Sequence, residues 1–171
     1  MEGHEQGVID VGERNMLNRM VRLSDRTAEN LMTPRTRIEW LDVDASLETN
    51  LEILRTTPYS CYPVYRGSDS DVVGILETKS LTSLLGHDAG THKLLSLLSE
   101  PLFVSESTRA LALVDIFRDH GAHLALVVDE YGDLQGLVTL NDLFGAVFGP
   151  LQSQEAEPGA DRERRDPRSA E

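Results

Sequence analysis

The stretch Ala125–Leu143 reads ALVVDEYGDLQGLVTLNDL, and its reading decides the fold. Ala125–Val128 is a short apolar run, the pattern of a buried strand. Asp129–Asp133 is polar, contains Gly132 and reads as a tight turn. Leu134–Val138 resumes an apolar strand, interrupted only by Gln135 and Gly136. Thr139 is placed to cap a helix whose first turn is Leu140–Leu143. The strand-to-helix junction carries a hydroxyl at Thr139 and a carboxylate three residues later at Asp142. Positions i and i+3 share a helix face. Both groups can therefore address one ligand beside the helix N-terminus, where free backbone N–H groups favour phosphate.

Working outward, Leu102–Val104 is predicted as a strand. Thr108 is predicted to cap a helix through His120, with Ala110, Leu113, Val114 and Phe117 on one face. The helix after Thr139 runs to about Phe148, and Gly149-Pro150 stops it. The first half follows the same plan. Ile38–Val43 reads as a strand, and Ser46 caps a helix Leu47–Arg55 with Leu47, Leu51 and Leu54 on one side. Tyr62–Tyr65 is a strand with Pro63 at an edge-compatible position. Arg66–Asp71 reads as a turn that accounts for Asp69 and Asp71. Val72–Leu76 is the paired strand, and Thr78–Leu85 the next helix. A short helix over Lys93–Leu98 leads to Pro101. Upstream, Met16, Leu17, Met20 and Leu23 recur at helical spacing and are expected in the core. A second helix, Asp25–Met32, is expected to start at a Ser24 cap and to stop before Pro34. Met1–Gly12 and Gln152–Glu171 lack apolar periodicity and are expected to be poorly ordered.

Sliding the chain by 62 positions superposes its halves without a gap. Gly74-Ile75-Leu76 falls on Gly136-Leu137-Val138, and Leu81 on Leu143. Leu51 falls on Leu113, Leu54 on Ile116 and Val64 on Leu126. Each unit is strand, helix, strand, strand, helix. A unit of about 50 residues is too small to bury a full core, so two should pack their sheets together. The expected class is α+β: two tandem β-α-β-β-α repeats behind an N-terminal helix. The expected division is 1–31 for the N-terminal helices, 32–86 and 99–149 for the two units, 87–98 for the linker and 150–171 for a tail.

Bulk properties exclude several roles. The 171 residues carry a formal net charge of −13, with a pI near 4.7. Nucleic-acid binding needs a basic face, so that partner is not expected. Cys61 is the single cysteine, which excludes an intramolecular disulfide framework and fits a reducing compartment. No apolar run reaches the roughly 18 residues needed to cross a bilayer, and no signal peptide is visible, so a soluble chain without membrane insertion is expected. The five histidines are dispersed, and no metal site, P-loop or nucleophilic triad is expected.

Two tandem units, each with a Gly-to-Leu strand–helix junction, resemble a pair of CBS domains with pseudo-two-fold symmetry. The phrases Leu31-Met32-Thr33-Pro34-Arg35, Ser60-Cys61-Tyr62-Pro63-Val64-Tyr65, Val127–Gly132 and Gly136–Asp142 are similar to those of the CorC/HlyC magnesium and cobalt efflux family, whose animal relatives are the CNNM transporters. The resemblance spans about Glu13–Gly149. It implies a regulatory module and not an enzyme. The implied ligand is an adenine nucleotide (ATP, ADP or AMP), alone or with Mg2+. The implied assembly is a homodimer through the CBS modules. The implied location is cytoplasmic, at the inner face of the membrane, beside a transmembrane transport domain that this chain lacks. Whether the chain is a fragment or a free-standing member is left open.

In that frame Asp142 is the first candidate, as an acceptor for a ribose diol, with Thr139 donating to phosphate. The plainer reading of the same pair is an N-cap and a first-turn acid. The first unit carries Glu77 and Ser80 at the equivalent positions. Glu77 would repel phosphate and Ser80 offers no carboxylate, so one competent site per chain is expected. The resemblance draws its remaining residues from Thr33 and Arg35 and from Ser60, Cys61, Tyr62 and Pro63. Tyr62 is considered as a base-flanking ring and Arg35 as a phosphate partner, against ordinary packing and a solvated surface charge. Cys61 stands where the family usually has an arginine, which would weaken or alter the nucleotide preference. A ligand-free dimerisation scaffold, or the regulatory part of another membrane protein or enzyme, are the alternatives.

Overall fold

The computed structural model describes residues 11–84 and 91–149. The predicted tail, the residues before Val11 and the 85–90 connector lie outside the described residues. The opening stretch folds as read. It forms strand β6 (Leu124–Val128), strand β7 (Leu134–Thr139) and helix α6 (Leu140–Phe148). Asp129 Oδ1 accepts hydrogen bonds from the N–H groups of Tyr131 (2.9 Å) and Asp133 (2.8 Å), and Gly132 takes a φ of 82°. A side-chain acceptor and one left-handed residue thus close the turn. Gly149, at φ 83°, ends α6.

The remaining elements follow in chain order. They are α1 (Val11–Leu23), α2 (Ala28–Leu31), β1 (Thr33–Pro34), a 3-10 turn at Arg35–Arg37, β2 (Leu41–Asp42) and α3 (Leu47–Thr56). Then come β3 (Cys61–Arg66), β4 (Ser68–Glu77), a 3-10 segment Thr78–Leu84, α4 (Thr91–Leu97), β5 (Phe103–Ser105) and α5 (Ala110–His120). One sheet has the order β1-β7-β6-β5 and the other β2-β3-β4. In each, a parallel pair (β2 with β3, β5 with β6) adjoins an antiparallel hairpin.

Alternation along the strands builds two layers of core and one seam. Ala125, Val127 and Val138 face Leu113, Phe117 and Leu143 beneath the helices of the second unit. Leu41, Tyr62, Val64 and Leu76 do the same in the first unit. The opposite faces meet in the seam, where Ile38 and Ile75 pack against Leu124, Leu126, Leu134 and Leu137. The two sheets therefore share one interface, as the short units require.

Each unit is also laced to the other. Thr33 and Pro34, which precede the first unit, pair with Leu137 and Gly136 of the second. Ser99, which precedes the second unit, bridges to Ile75 of the first, with N–H···O bonds of 2.9 and 3.0 Å. The shared glycines stand under these crossings. A Cβ on Gly136 would lie 2.3 Å from the Thr33 carbonyl oxygen, and one on Gly74 would lie 2.6 Å from the Leu98 Cβ and 2.9 Å from the Ser99 oxygen. The repeated glycine is a clearance for the other unit's leading segment.

Several expectations are corrected. The repeat does not superpose without a gap. Val64 pairs with Gly74 and Tyr65 with Val72, whereas Val127 pairs with Gly136 and Val128 with Leu134. The first hairpin turn is thus one residue longer, and Val64 matches Val127, not Leu126. A one-residue slip reverses which face a side chain takes; Val64 and Val127 both face helices, whereas Leu126 faces the seam. Leu17 and Met20 of α1 are 47% and 49% exposed, so the expected methionine core reduces to Leu23 as the buried anchor. Thr27, not Ser24, caps the second helix, its N–H donating to Asn30 Oδ1 at 3.0 Å. Arg109, not Thr108, is the cap residue of α5. Leu47 and Val114 are exposed. β4 begins at Ser68, so Asp69 belongs to a strand and not to a turn.

Candidate functional site

A cavity of about 780 Å³ opens between the two units. The second unit contributes the β7–α6 junction. Thr139 ends β7 in extended conformation and starts α6 as its N-cap. The Asp142 N–H donates to Thr139 Oγ1 (3.1 Å), and the Thr139 N–H donates to Asp142 Oδ2 (2.9 Å). This reciprocal box satisfies two otherwise unpaired helix-end donors. The plainer reading of the pair is therefore realised in full. Within the box the carboxylate accepts through Oδ2. Burial raises the Asp142 carboxyl above its ordinary range, and the hydrogen bonds with Thr139 oppose that rise.

Five of the eight residues singled out from sequence line this cavity: Thr33, Ser60, Cys61, Thr139 and Asp142. Thr33 arrives on the crossing strand β1. Ser60 and Cys61 arrive at the start of β3. The Ser60 carbonyl accepts from the Thr78 N–H at 2.9 Å, and the His123 carbonyl accepts from the Leu140 N–H at 2.9 Å. The two hairpins thus grip their following helices in the same way, with Ser60 and His123 as counterparts. Cys61 is half-buried; desolvation and then the Glu77 charge push its thiol up, against a lowering hydrogen bond from Ser60.

The other three are placed elsewhere. Arg35 grips Asp69 as a fork, with Nε–Oδ2 at 2.7 Å and Nη2–Oδ1 at 2.5 Å, and Nη1 reaches the Leu134 carbonyl at 3.4 Å. The hydrogen-bonded pairing raises the guanidinium and holds the Asp69 carboxyl low. Tyr62 is 1% exposed, and its hydroxyl bonds to Thr57 Oγ1 (2.5 Å) and donates to the Thr57 carbonyl (3.1 Å). It is a core residue facing the helices. Pro63, one residue on, is buried and is not among the lining residues.

The cavity instead recruits groups that the sequence reading passed over. Arg37 lines it, two residues from Arg35. In a 3-10 turn of about three residues, neighbours at i and i+2 point in different directions. Tyr59, half-exposed, lines the cavity where Tyr62 does not, and its ring meets Tyr62 edge-on at 5.9 Å. Lys79 and His123 flank Glu77, with Lys79 Nζ 3.0 Å from Oε2 and His123 Nδ1 3.6 Å from Oε1. The lining set holds Arg37, Lys79 and His123 against Glu39, Glu77 and Asp142. Lys79 lies between Glu77 and Ser80, the residues that set the first unit apart, whereas no spacing in the sequence marks His123. Among the described residues, no cluster of three or more His, Cys, Asp or Glu converges to hold a metal ion. Among the same residues, no helix is long and apolar enough to cross a membrane.

With this geometry in place, comparison with known proteins is informative. The model of the CBS domain matches residues 28–87 and 96–149. The UPF0053 protein sll0260 of Synechocystis is 42% identical over 154 residues, covering 90% of this chain and 34% of that protein. The magnesium and cobalt efflux protein CorC of Pasteurella multocida is 28% identical over 153 residues, covering 90% of this chain and 51% of CorC. The chain thus spans about a third of the first of these relatives and about half of the second. The CBS domain of a bacterial CNNM/CorC family Mg2+ transporter in complex with ATP is 32% identical, with a TM-score of 0.73 over 81% of this chain and 99% of that one. A CBS-domain pair with bound AMP from Klebsiella pneumoniae is 28% identical, with a TM-score of 0.65 over 72% of this chain and 99% of that one.

Proposed function

The chain belongs to the CBS domain family, as a tandem pair of the CNNM/CorC magnesium and cobalt efflux type, and from that premise we propose that it is an adenine-nucleotide sensor regulating an attached membrane transport domain. The observation that carries this reading is the convergence of both units on one cavity. Thr139 and Asp142 come from one side and Thr33, Ser60 and Cys61 from the other. About 780 Å³ is ample for a nucleotide. The Asp142 carboxylate suits a ribose hydroxyl, and Thr139 and Arg37 suit phosphate. Tyr59 presents an exposed ring to a base. A relative's ATP and another's AMP support the ligand class. Mg2+ would accompany a triphosphate.

The module is regulatory and not catalytic in this reading. It works as a cytoplasmic homodimer against the inner face of the membrane. Leu111 and Val114 of α5 and Phe144 and Phe148 of α6 are exposed apolar residues that a second copy would cover. Nucleotide acts by binding one arrangement of the dimer more tightly than another, and that difference reaches the transport domain. Calorimetry with ATP, ADP and AMP, with and without Mg2+, tests the reading. Dissociation constants below millimolar are expected, and no binding at millimolar concentration would refute it.

A second reading is favoured by one observation. Glu77 and Cys61 place a carboxylate and a neutral thiol in the cavity wall. A ligand-free dimerisation scaffold would keep its dimer, measured by light scattering, whatever nucleotide is added.

A further inference from the structure

Glu77 ends β4 where the second unit has Thr139. Its carboxylate is only a quarter exposed and is held from two sides, by Lys79 at 3.0 Å and by His123 at 3.6 Å. Glu77, His123 and Cys61 line both the large cavity and a second one of about 230 Å³. Glu77, His123 and Cys61 are therefore shared by two cavities, and the exposed Lys79 lines the larger one. The ion-paired cluster draws on both units. Glu77 and Lys79 follow the first hairpin, and His123 precedes the second, fixed through its carbonyl to the Leu140 N–H at 2.9 Å.

Resting on the nucleotide reading, we propose that Glu77 selects which charge state of a phosphorylated ligand the large cavity accepts, and that His123 links this selection to protons. With His123 neutral, the carboxylate is balanced by Lys79 alone, and Lys79 is held away from an incoming phosphate. With His123 protonated, the cluster carries two cations around one carboxylate and becomes attractive to anions. Repulsion grows with ligand charge, so a triphosphate feels Glu77 more than a monophosphate does.

The other charged groups around this cluster are accounted for. Arg37, Glu39 and Asp142 line the large cavity, and Glu100 and His120 the small one. The carboxylate in ion-pair reach of the His123 ring is Glu77. Cys61, between them, stays uncharged because burial and Glu77 both raise its thiol. The sign follows directly. A bound anion and a protonated His123 stabilise each other, so affinity rises as pH falls.

The test is calorimetry of the whole chain with ATP and with AMP at pH 6, 7 and 8, for wild type, Glu77→Gln and His123→Gln. Glu77→Gln is isosteric, and thermal melts check that both variants fold. Wild-type affinity for ATP is expected to rise at least about threefold from pH 8 to pH 6, and to rise less in His123→Gln, where only the ligand's own terminal phosphate still gains a proton. Glu77→Gln is expected to tighten ATP about tenfold and AMP about two- to threefold. A silent wild type beside a binding Glu77→Gln variant would overturn the sensor reading and still support the repulsion by Glu77. Wild-type binding that is independent of pH and equal to that of Glu77→Gln overturns the proposal and leaves the sensor reading standing. Absence of binding in wild type and Glu77→Gln alike overturns both.

Discussion

The two strand-to-helix junctions are built on one plan and finished differently. Gly136–Leu143 and Gly74–Leu81 both start with a glycine under a crossing segment and end on a leucine. Between those points the second unit has the reciprocal Thr139–Asp142 box and an α-helix, and the first has Glu77 with Lys79 and a 3-10 segment. The shared residues do steric work for the pair as a whole. The unshared residues face the cavity. The difference separates residues that fit the two units together from residues that line the cavity, and it can be broken by substitution.

The largest effect is expected at the crossings. Gly136→Ala drives a Cβ into a backbone oxygen and should cost about 3 kcal/mol, near the upper end for overpacking. Gly74→Ala meets mainly the movable Leu98 side chain and should cost about half of that. Urea denaturation compares them, and equal costs would mean that both crossings yield alike. Next comes Asp142. Asp142→Ala should lose about 1 kcal/mol of stability with the capping box. It should also lose at least about tenfold in nucleotide affinity through the missing acceptors. Asp142→Asn should keep the stability, since Asn30 already performs the same role for Thr27. It should still bind nucleotide more weakly, and equal binding would place the carboxylate charge outside the site.

Smaller effects separate two neighbouring arginines. Arg37→Ala should weaken ATP about three- to fivefold, whereas Arg35→Ala should leave it within twofold, because Arg35 is committed to Asp69. The smallest effect is on acid stability. Asp69 has a depressed carboxyl. Its contribution is complete above the unfolded-state carboxyl pKa and is lost as pH falls through the lower folded-state value. Both partners are about one-third exposed, so screening holds the effect below about 1 kcal/mol. Denaturation of Asp69→Asn should be less pH-sensitive in the acid range than that of wild type.

How much of this was legible depended on whether the signal was local. The strand, turn, strand and helix of Leu124–Phe148 were readable because Asp129, Gly132 and Thr139 each act within a few residues. The repeat was readable, but its one-residue offset was not. Val64 and Leu126 are both apolar, and hydrophobic pattern alone does not count residues in a turn. The site divided along the same line. Thr139 and Asp142 announced themselves by spacing. Tyr62 was misplaced because strand alternation sends it toward the helices, and Arg35 because its partner Asp69 lies 34 residues away on another strand. Lys79, His123 and Tyr59 become site residues only when the two units face each other, which no local pattern encodes. The exposed Met20 shows the converse, since helical spacing marks an apolar stripe without saying what covers it.

The crossing segments carry a consequence for the chain's assembly history. Each unit closes its partner's sheet and leaves its own last strand to be met by the other's leading segment. Half of the molecule, made alone, would have an unfilled berth and a loose arm that fits a berth of the same shape. Its simplest solution is a pair of identical halves that exchange arms. A duplicated gene would then have turned an arm-exchanged dimer into one polypeptide by adding a tether. Residues 96–149 produced alone should accordingly sediment as a dimer or fail to fold, and a stable folded monomer would refute that origin.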